Sequence, residues 1–227
     1  MEFSRQQPSK KYIELVAHYR QMHEQGYVVQ DGNTQRKLNP EDVYPGNELP
    51  RFAQYICNAI KLTEAETILD YGAGKGRQYG PATVTMPDGK TYESIPAYWG
   101  VKEVRCYDPA VAAHDTLPDQ KYDGVVSTDM LEHCSSQDVP WIVEEMFSLA
   151  NKFVFVNVSC VPAKALLPTG ENAHCTLRSA DWWNGLFTAT ANRFPGVKYF
   201  ISCIVPDPAS GANGLKMVWY ERANYGE

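Results

Sequence analysis

At 227 residues, with 44% apolar and 21% charged side chains, the chain has the make-up of a globular protein with one sizeable core, which excludes a largely disordered polymer. A formal charge of −6 gives no general attraction to polynucleotide phosphates, so an extended nucleic-acid partner is not expected. No apolar run reaches the roughly 18 residues of a membrane span. The opening MEFSRQQPSKKY has no signal-peptide hydrophobic region, and the six cysteines form no C-x-x-C pair, so the expectation is a cytoplasmic protein with reduced, mostly buried cysteines and no membrane partner.

Residues 9–25 place Tyr12, Ile13, Leu15, Val16, Tyr19 and Met22 at helical spacing, with Gly26 where a helix would stop. Residues 27–46 are polar and punctuated by Asp31-Gly32-Asn33, Asn39-Pro40 and Pro45-Gly46, which reads as an extended loop. A second helix is expected over about 47–61. Residues 1–62 would thus form helices and a loop acting as a lid, and residues 63–227 the main domain. Lys10, Lys11, Arg36 and Lys37 read as solvated surface, and His18, His23 and His114 as surface or helix-packing residues.

Thr67-Ile68-Leu69 has the apolar, partly β-branched character of a parallel strand buried on both faces. Asp70 follows, and then Gly72, Gly74 and Gly76. Glycine accepts positive φ and lets a ligand approach the backbone, so such a cluster at the carboxyl end of a strand marks a binding turn of an open α/β sheet. The G-x-G-x-G spacing differs from the G-x-G-x-x-G of dinucleotide-binding turns. Lys75 is not followed by Ser or Thr, which also excludes a P-loop.

Residues 77–100 are too rich in Gly and Pro for a full helix and read as an insertion, with a hairpin turning at Asp88-Gly89. A strand over 103–108 ends on Asp108. The stretch from there to Tyr122 is too short for a helix and a further strand, so the third, edge strand should be reduced or missing. Strands at 122–128, 152–159, 198–205 and 214–221 alternate with helices at 137–150 and about 180–191, the latter capped by Ser179. The last two strands lie so close in sequence that they should form an antiparallel hairpin or be split by a change of strand order. The fold class is therefore α/β: a Rossmann-like, mostly parallel sheet with helices on both faces and a C-terminal antiparallel hairpin. Trp182-Trp183 reads as core packing.

The series Asp70-Tyr-Gly72-Ala-Gly74-Lys-Gly76, then CYDPA around Asp108, STDMLEHC with Asp129, Glu132 and His133, and ENAHCTLRSADWW with Asn172 and His174 resembles the class I S-adenosylmethionine-dependent methyltransferases. It is particularly similar to a bacterial and phage group with LDYG-G-KG, YDPAV, D-LEH and N-H-T-WW motifs, for which no acceptor is settled. The resemblance is strongest over about 66–160. It implies S-adenosylmethionine as cofactor, held by Asp70, Gly72, Ala73, Gly74, Gly76, Asp108, Pro109, Asp129 and Met130, with Asp108 on the ribose diol. His133 and His174 are the implied catalytic bases.

Two subgroups, the methyltransferases of ubiquinone biosynthesis and those acting on the 3′-terminal 2′-hydroxyl of small RNAs, hold a divalent ion with E-x-x-E-H, and the second adds a later histidine. Here D-x-x-E-H would make Asp129, Glu132, His133 and His174 ligands for Mg²⁺, Mn²⁺ or Fe²⁺, with the first three on one side of a helical turn. The acidic chain favours a small-molecule or sugar/glycan hydroxyl as acceptor. The alternatives are a nucleotide or RNA end, and an S-adenosylmethionine-binding protein without turnover.

Overall fold

The computed structural model describes residues 3–31, 34–44, 46, 48–86, 89–211 and 214–222. The Ser9 hydroxyl accepts the Tyr12 N–H at 3.1 Å and so opens helix α1 (Lys10–Gln25). Gly26, at φ 80°, closes it.

The polar stretch that follows is no loop. Strands β1 (Tyr27–Asp31) and β2 (Thr34–Leu38) pair antiparallel, from Tyr27 opposite Leu38 to Asp31 opposite Thr34. Residues 34–37 of β2 are exposed and polar, so the strand carries no apolar alternation by which to recognise it. Of the expected turn at Asp31-Gly32-Asn33, Gly32 and Asn33 lie outside the described residues. Helix α2 (Leu49–Thr63) then leads into the main sheet.

Strand β3 (Thr67–Tyr71) is followed by the insertion. It contains the two-residue strands β4 (Val84–Thr85) and β5 (Thr91–Tyr92), which pair antiparallel, and the one-turn helix α3 (Ile95–Trp99). Asp88, at the expected hairpin tip, lies outside the described residues. The Trp99 indole N–H donates to the Ala53 carbonyl at 2.9 Å and docks α3 on α2.

The remaining elements are β6 (Glu103–Tyr107), β7 (Tyr122–Thr128), α4 (Val139–Leu149), β8 (Ala150–Ser159), α5 (Ala180–Ala191), β9 (Lys198–Pro206) and β10 (Leu215–Arg222). The six-stranded sheet runs β10-β9-β8-β7-β3-β6; every pairing is parallel except β9 with β10. No strand is assigned between β6 and β7, and β6 is the edge, as the short connection requires.

Helices cover both faces. Phe52 and Ile56 of α2 pack on Phe153 and Phe155 on one side; on the other, Ile142, Met146 and Phe147 of α4 and Trp183 and Phe187 of α5 pack on Val154, Val156 and Ile201. Trp183 is wholly buried, in line with its expected core role. Of the cysteines only Cys57 and Cys203 are buried; the other four are half-buried, and all six are free. No helix among the described residues is long and apolar enough to cross a membrane.

Because β3, β6, β7 and β8 are parallel, Gly72, Asp108, Asp129 and Ser159 emerge at one edge of the sheet, where strands diverge to either side of β3. The N-terminal segment is tied above this edge. Arg5 bridges the Glu145 carboxylate with two N–H groups, and the buried Asp138 accepts from the Ser9 backbone at 2.9 Å, from the Ser9 hydroxyl and from the Trp141 indole at 2.9 Å. Asp138→Ala strands these donors. We expect about 2–4 kcal/mol of lost stability, read from the urea midpoint, together with faster proteolysis of the segment before α1. A loss below about 0.5 kcal/mol, the usual range for an inert surface change, would remove Asp138 as the anchor.

Candidate functional site

All three glycines of the turn adopt positive φ: 87° at Gly72, 56° at Gly74 and 66° at Gly76. Only Gly72, Ala73 and Gly74 face the cavity above the sheet. Gly76 does not line it; a β-carbon there would meet Cys106 Sγ at 2.9 Å and His114 Nε2 at 3.2 Å, so its role is packing. At Gly72 a β-carbon would lie 2.3 Å from Met130 Cγ, which locks the turn to the tip of β7.

Asp108 holds the turn from the neighbouring strand, accepting the Gly74 N–H at 2.9 Å through Oδ2 and the Ala110 N–H at 2.8 Å through Oδ1. Each carboxylate oxygen retains a lone pair for a ligand hydroxyl. Burial raises its pKa, and the two backbone N–H groups oppose that shift. Pro109 lines the cavity beside it, and its carbonyl accepts from Arg20 of α1 at 2.9 Å.

Asp70 also lines the cavity, but its Oδ2 is taken by the Tyr79 hydroxyl at 2.9 Å and Gln78 Nε2 at 3.1 Å, both from the insertion. Burial pushes its pKa up to about 7, against the pull of those two bonds. The folded protein thus keeps a proton that the unfolded chain releases near pH 4, so stability falls as pH rises from about 4 to 7 and levels off above. In Asp70→Asn this dependence disappears. The melting temperature of the variant relative to the parent should climb between pH 4 and 7, by up to ~4 kcal/mol in stability, and a pH-independent difference would refute the buried charge.

The LEH segment forms a 3-10 turn, Leu131–His133, entered through Asp129 at φ 54°. One ligand atom each from Asp129, His133 and His174 lie within 4.8 Å of one another. Glu132 stands outside this group, contrary to the spacing argument. Its side chain is completely buried, Oε1 accepts the Ser159 N–H at 2.5 Å, and its backbone carbonyl accepts the Thr176 N–H at 2.9 Å. Burial and the neighbouring Asp129 charge raise its pKa, and its hydrogen bonds make it a brace between β8 and the 172–176 loop.

Both histidines are oriented through Nδ1. His174 Nδ1 lies 2.5 Å from the Val161 carbonyl, and the Asn172 side chain fixes the loop by accepting the His174 and Ala163 N–H groups at 3.0 Å and donating to the Ala163 carbonyl at 2.8 Å. His133 Nδ1 lies 3.1 Å from the Ala173 carbonyl and 3.0 Å from the Tyr19 hydroxyl, which itself donates to Ala173 at 2.8 Å. Since carbonyls only accept, Nδ1–H is the tautomer that matches the carbonyl contact in each case. His133 Nε2 is left buried with no protein partner. Burial lowers the His133 pKa to about 4, keeping that nitrogen's lone pair free at neutral pH. Two such imidazoles and a carboxylate, with carbonyl partners behind the imidazoles, fit a divalent metal ion.

The cavity joins these parts. About 740 Å³ in volume, it runs from the Gly72–Gly74 turn, Asp108 and Pro109 to Asp129, Met130, His133 and His174. Its far wall comes from the N-terminal segment through Leu15, Tyr19, His23, Tyr27 and Tyr44, none of which the motifs marked as site residues. Their signal in the sequence is the aromatic and apolar stripe of α1 and the expectation that residues 1–62 form a lid, neither of which singles out Tyr27 or Tyr44. No family model, no curated protein and no solved structure matches the chain.

Proposed function

We propose that the protein is an S-adenosylmethionine-dependent methyltransferase acting on a hydroxyl of a small molecule or glycan, with a divalent ion at Asp129, His133 and His174. The observation that carries this reading is the single cavity linking the Gly72–Gly74 turn and Asp108 to that cluster. Its volume is in the range of cofactor and substrate pockets, roughly 300–1,000 Å³.

S-adenosylmethionine supplies a methyl group already activated on a sulfonium, so the chain has mainly to position and desolvate. Asp108 accepts from the ribose hydroxyls with the lone pairs its backbone partners leave free. Tyr19, Tyr27 and Tyr44 wall the chamber and exclude water. Asp129 and the two imidazoles hold the ion, which would lower the pKa of an acceptor hydroxyl. Without Glu132 the donor set holds two imidazoles to one carboxylate, which favours Mn²⁺ or Fe²⁺ over Mg²⁺. In the absence of an ion, the Nε2 atoms of His133 and His174 are the bases available to take the acceptor proton.

The test is transfer of a labelled methyl group from S-adenosylmethionine to small-molecule and polysaccharide extracts, before and after chelation. Label should enter one of these fractions, fall on chelation and return with Mn²⁺ or Fe²⁺. Label confined to an RNA fraction would replace the acceptor class, and none anywhere would leave a binding protein without turnover.

A further inference from the structure

The wall supplied by the N-terminal segment carries two polar atoms that the scheme above does not use. His23 is 8% exposed and its Nδ1 has no protein partner; the Tyr44 hydroxyl is likewise buried and unpartnered. Both residues line the cavity. Both also lie over the glycine turn, since a β-carbon on Gly74 would be 3.8 Å from His23 Cε1 and 3.7 Å from the Tyr44 carbonyl oxygen.

Their rings are fixed. Tyr44 stacks on Tyr27 with centroids 5.4 Å apart and an interplanar angle of 16°, and His23 packs against Tyr44 at 5.3 Å. An unpaired buried polar atom costs about 1–3 kcal/mol. Two of them side by side on a cavity wall indicate a ligand group that satisfies both.

We propose that His23 and Tyr44 form the subsite for the carboxylate of the ligand's amino-acid tail, an inference that rests on the reading of the cavity as an S-adenosylmethionine site. The unpartnered Tyr44 hydroxyl is a donor that a carboxylate oxygen would satisfy. Burial and the Lys75 charge hold the His23 pKa down at about 4, and a carboxylate set against the ring would offset both effects.

Lys75 adds a positive charge on the same side, its ammonium donating to the Pro40 carbonyl. At the strand tips the acids Asp108 and Asp129 suit an amino group and ribose hydroxyls and repel a carboxylate, while Asn157 and Ser159 are paired, donating to the Ser202 and Val161 carbonyls. Arg51, Lys164 and Lys216 also line the cavity but are exposed, and Arg51 and Lys216 are paired with Glu48 and Asp207. Among the described residues that line the cavity, the buried side-chain polar atoms without a partner are His23 Nδ1, the Tyr44 hydroxyl and His133 Nε2, and the last belongs to the Asp129 cluster, which leaves the His23–Tyr44 wall for the anionic end.

Calorimetry on the full chain with two probes tests this. S-adenosylhomocysteine carries the amino-acid tail, and 5′-methylthioadenosine lacks it. Tyr44→Phe keeps the ring stack and removes the hydroxyl, while His23→Leu removes the imidazole at similar volume. Each variant should bind S-adenosylhomocysteine at least tenfold more weakly and 5′-methylthioadenosine within twofold of the parent. Unchanged affinity for S-adenosylhomocysteine in both variants, or equal losses for the two probes, would overturn the subsite and leave the cofactor reading standing. A parent protein that binds neither probe would remove both.

Discussion

Asp108→Ala should weaken S-adenosylhomocysteine binding by at least about 100-fold. Two hydrogen bonds from a ribose diol to a carboxylate contribute on the order of 1.5–3 kcal/mol each, and about 2.7 kcal/mol already corresponds to 100-fold. The same carboxylate accepts the Gly74 and Ala110 N–H groups, so the variant also loosens the glycine turn. Binding is therefore measured well below the variant's own melting temperature, with circular dichroism as the check on folding. Affinity within threefold of the parent would assign Asp108 to shaping the turn alone.

The second large effect concerns the ion. Titration with Mn²⁺, followed by electron paramagnetic resonance, should show one site, and His133→Ala and His174→Ala should each weaken it by 100-fold or more. Glu132→Gln should leave it within a few-fold, because Glu132 is turned towards the Ser159 backbone and a glutamine oxygen can still accept that N–H. An equal loss in Glu132→Gln would restore the four-ligand set that the D-x-x-E-H spacing suggests. Absence of any Mn²⁺ site would leave His133 and His174 as metal-free bases.

Much of the scaffold is legible in the sequence because burial on both faces writes itself into composition. Ile68-Leu69 and the run from Phe153 to Val158 could hardly be anything but central strands, and the glycines after β3 announce positive φ where the chain turns. The β1–β2 hairpin was illegible for the opposite reason: an exposed strand such as Thr34-Gln-Arg-Lys37 has no apolar side to show.

Spacing misled twice. A turn entered through positive φ at Asp129 and continued as a 3-10 helix does not place positions 129, 132 and 133 on one face, so Glu132 points inward. Likewise Gly76 has the spacing of a cavity residue, yet packs against Cys106 and His114. Tyr19, His23 and Tyr44 carry no motif at all. Their positions follow from how α1 and the segment before α2 dock on the sheet edge, with Tyr19 reaching His133 across 114 residues of chain.

The most direct test of the account is a calorimetric titration of the unmodified protein with S-adenosylhomocysteine. Saturable binding at one site per chain, competed by S-adenosylmethionine, is the predicted result. No saturable binding of either compound at millimolar concentration would contradict the assignment of the cavity and with it the proposed function.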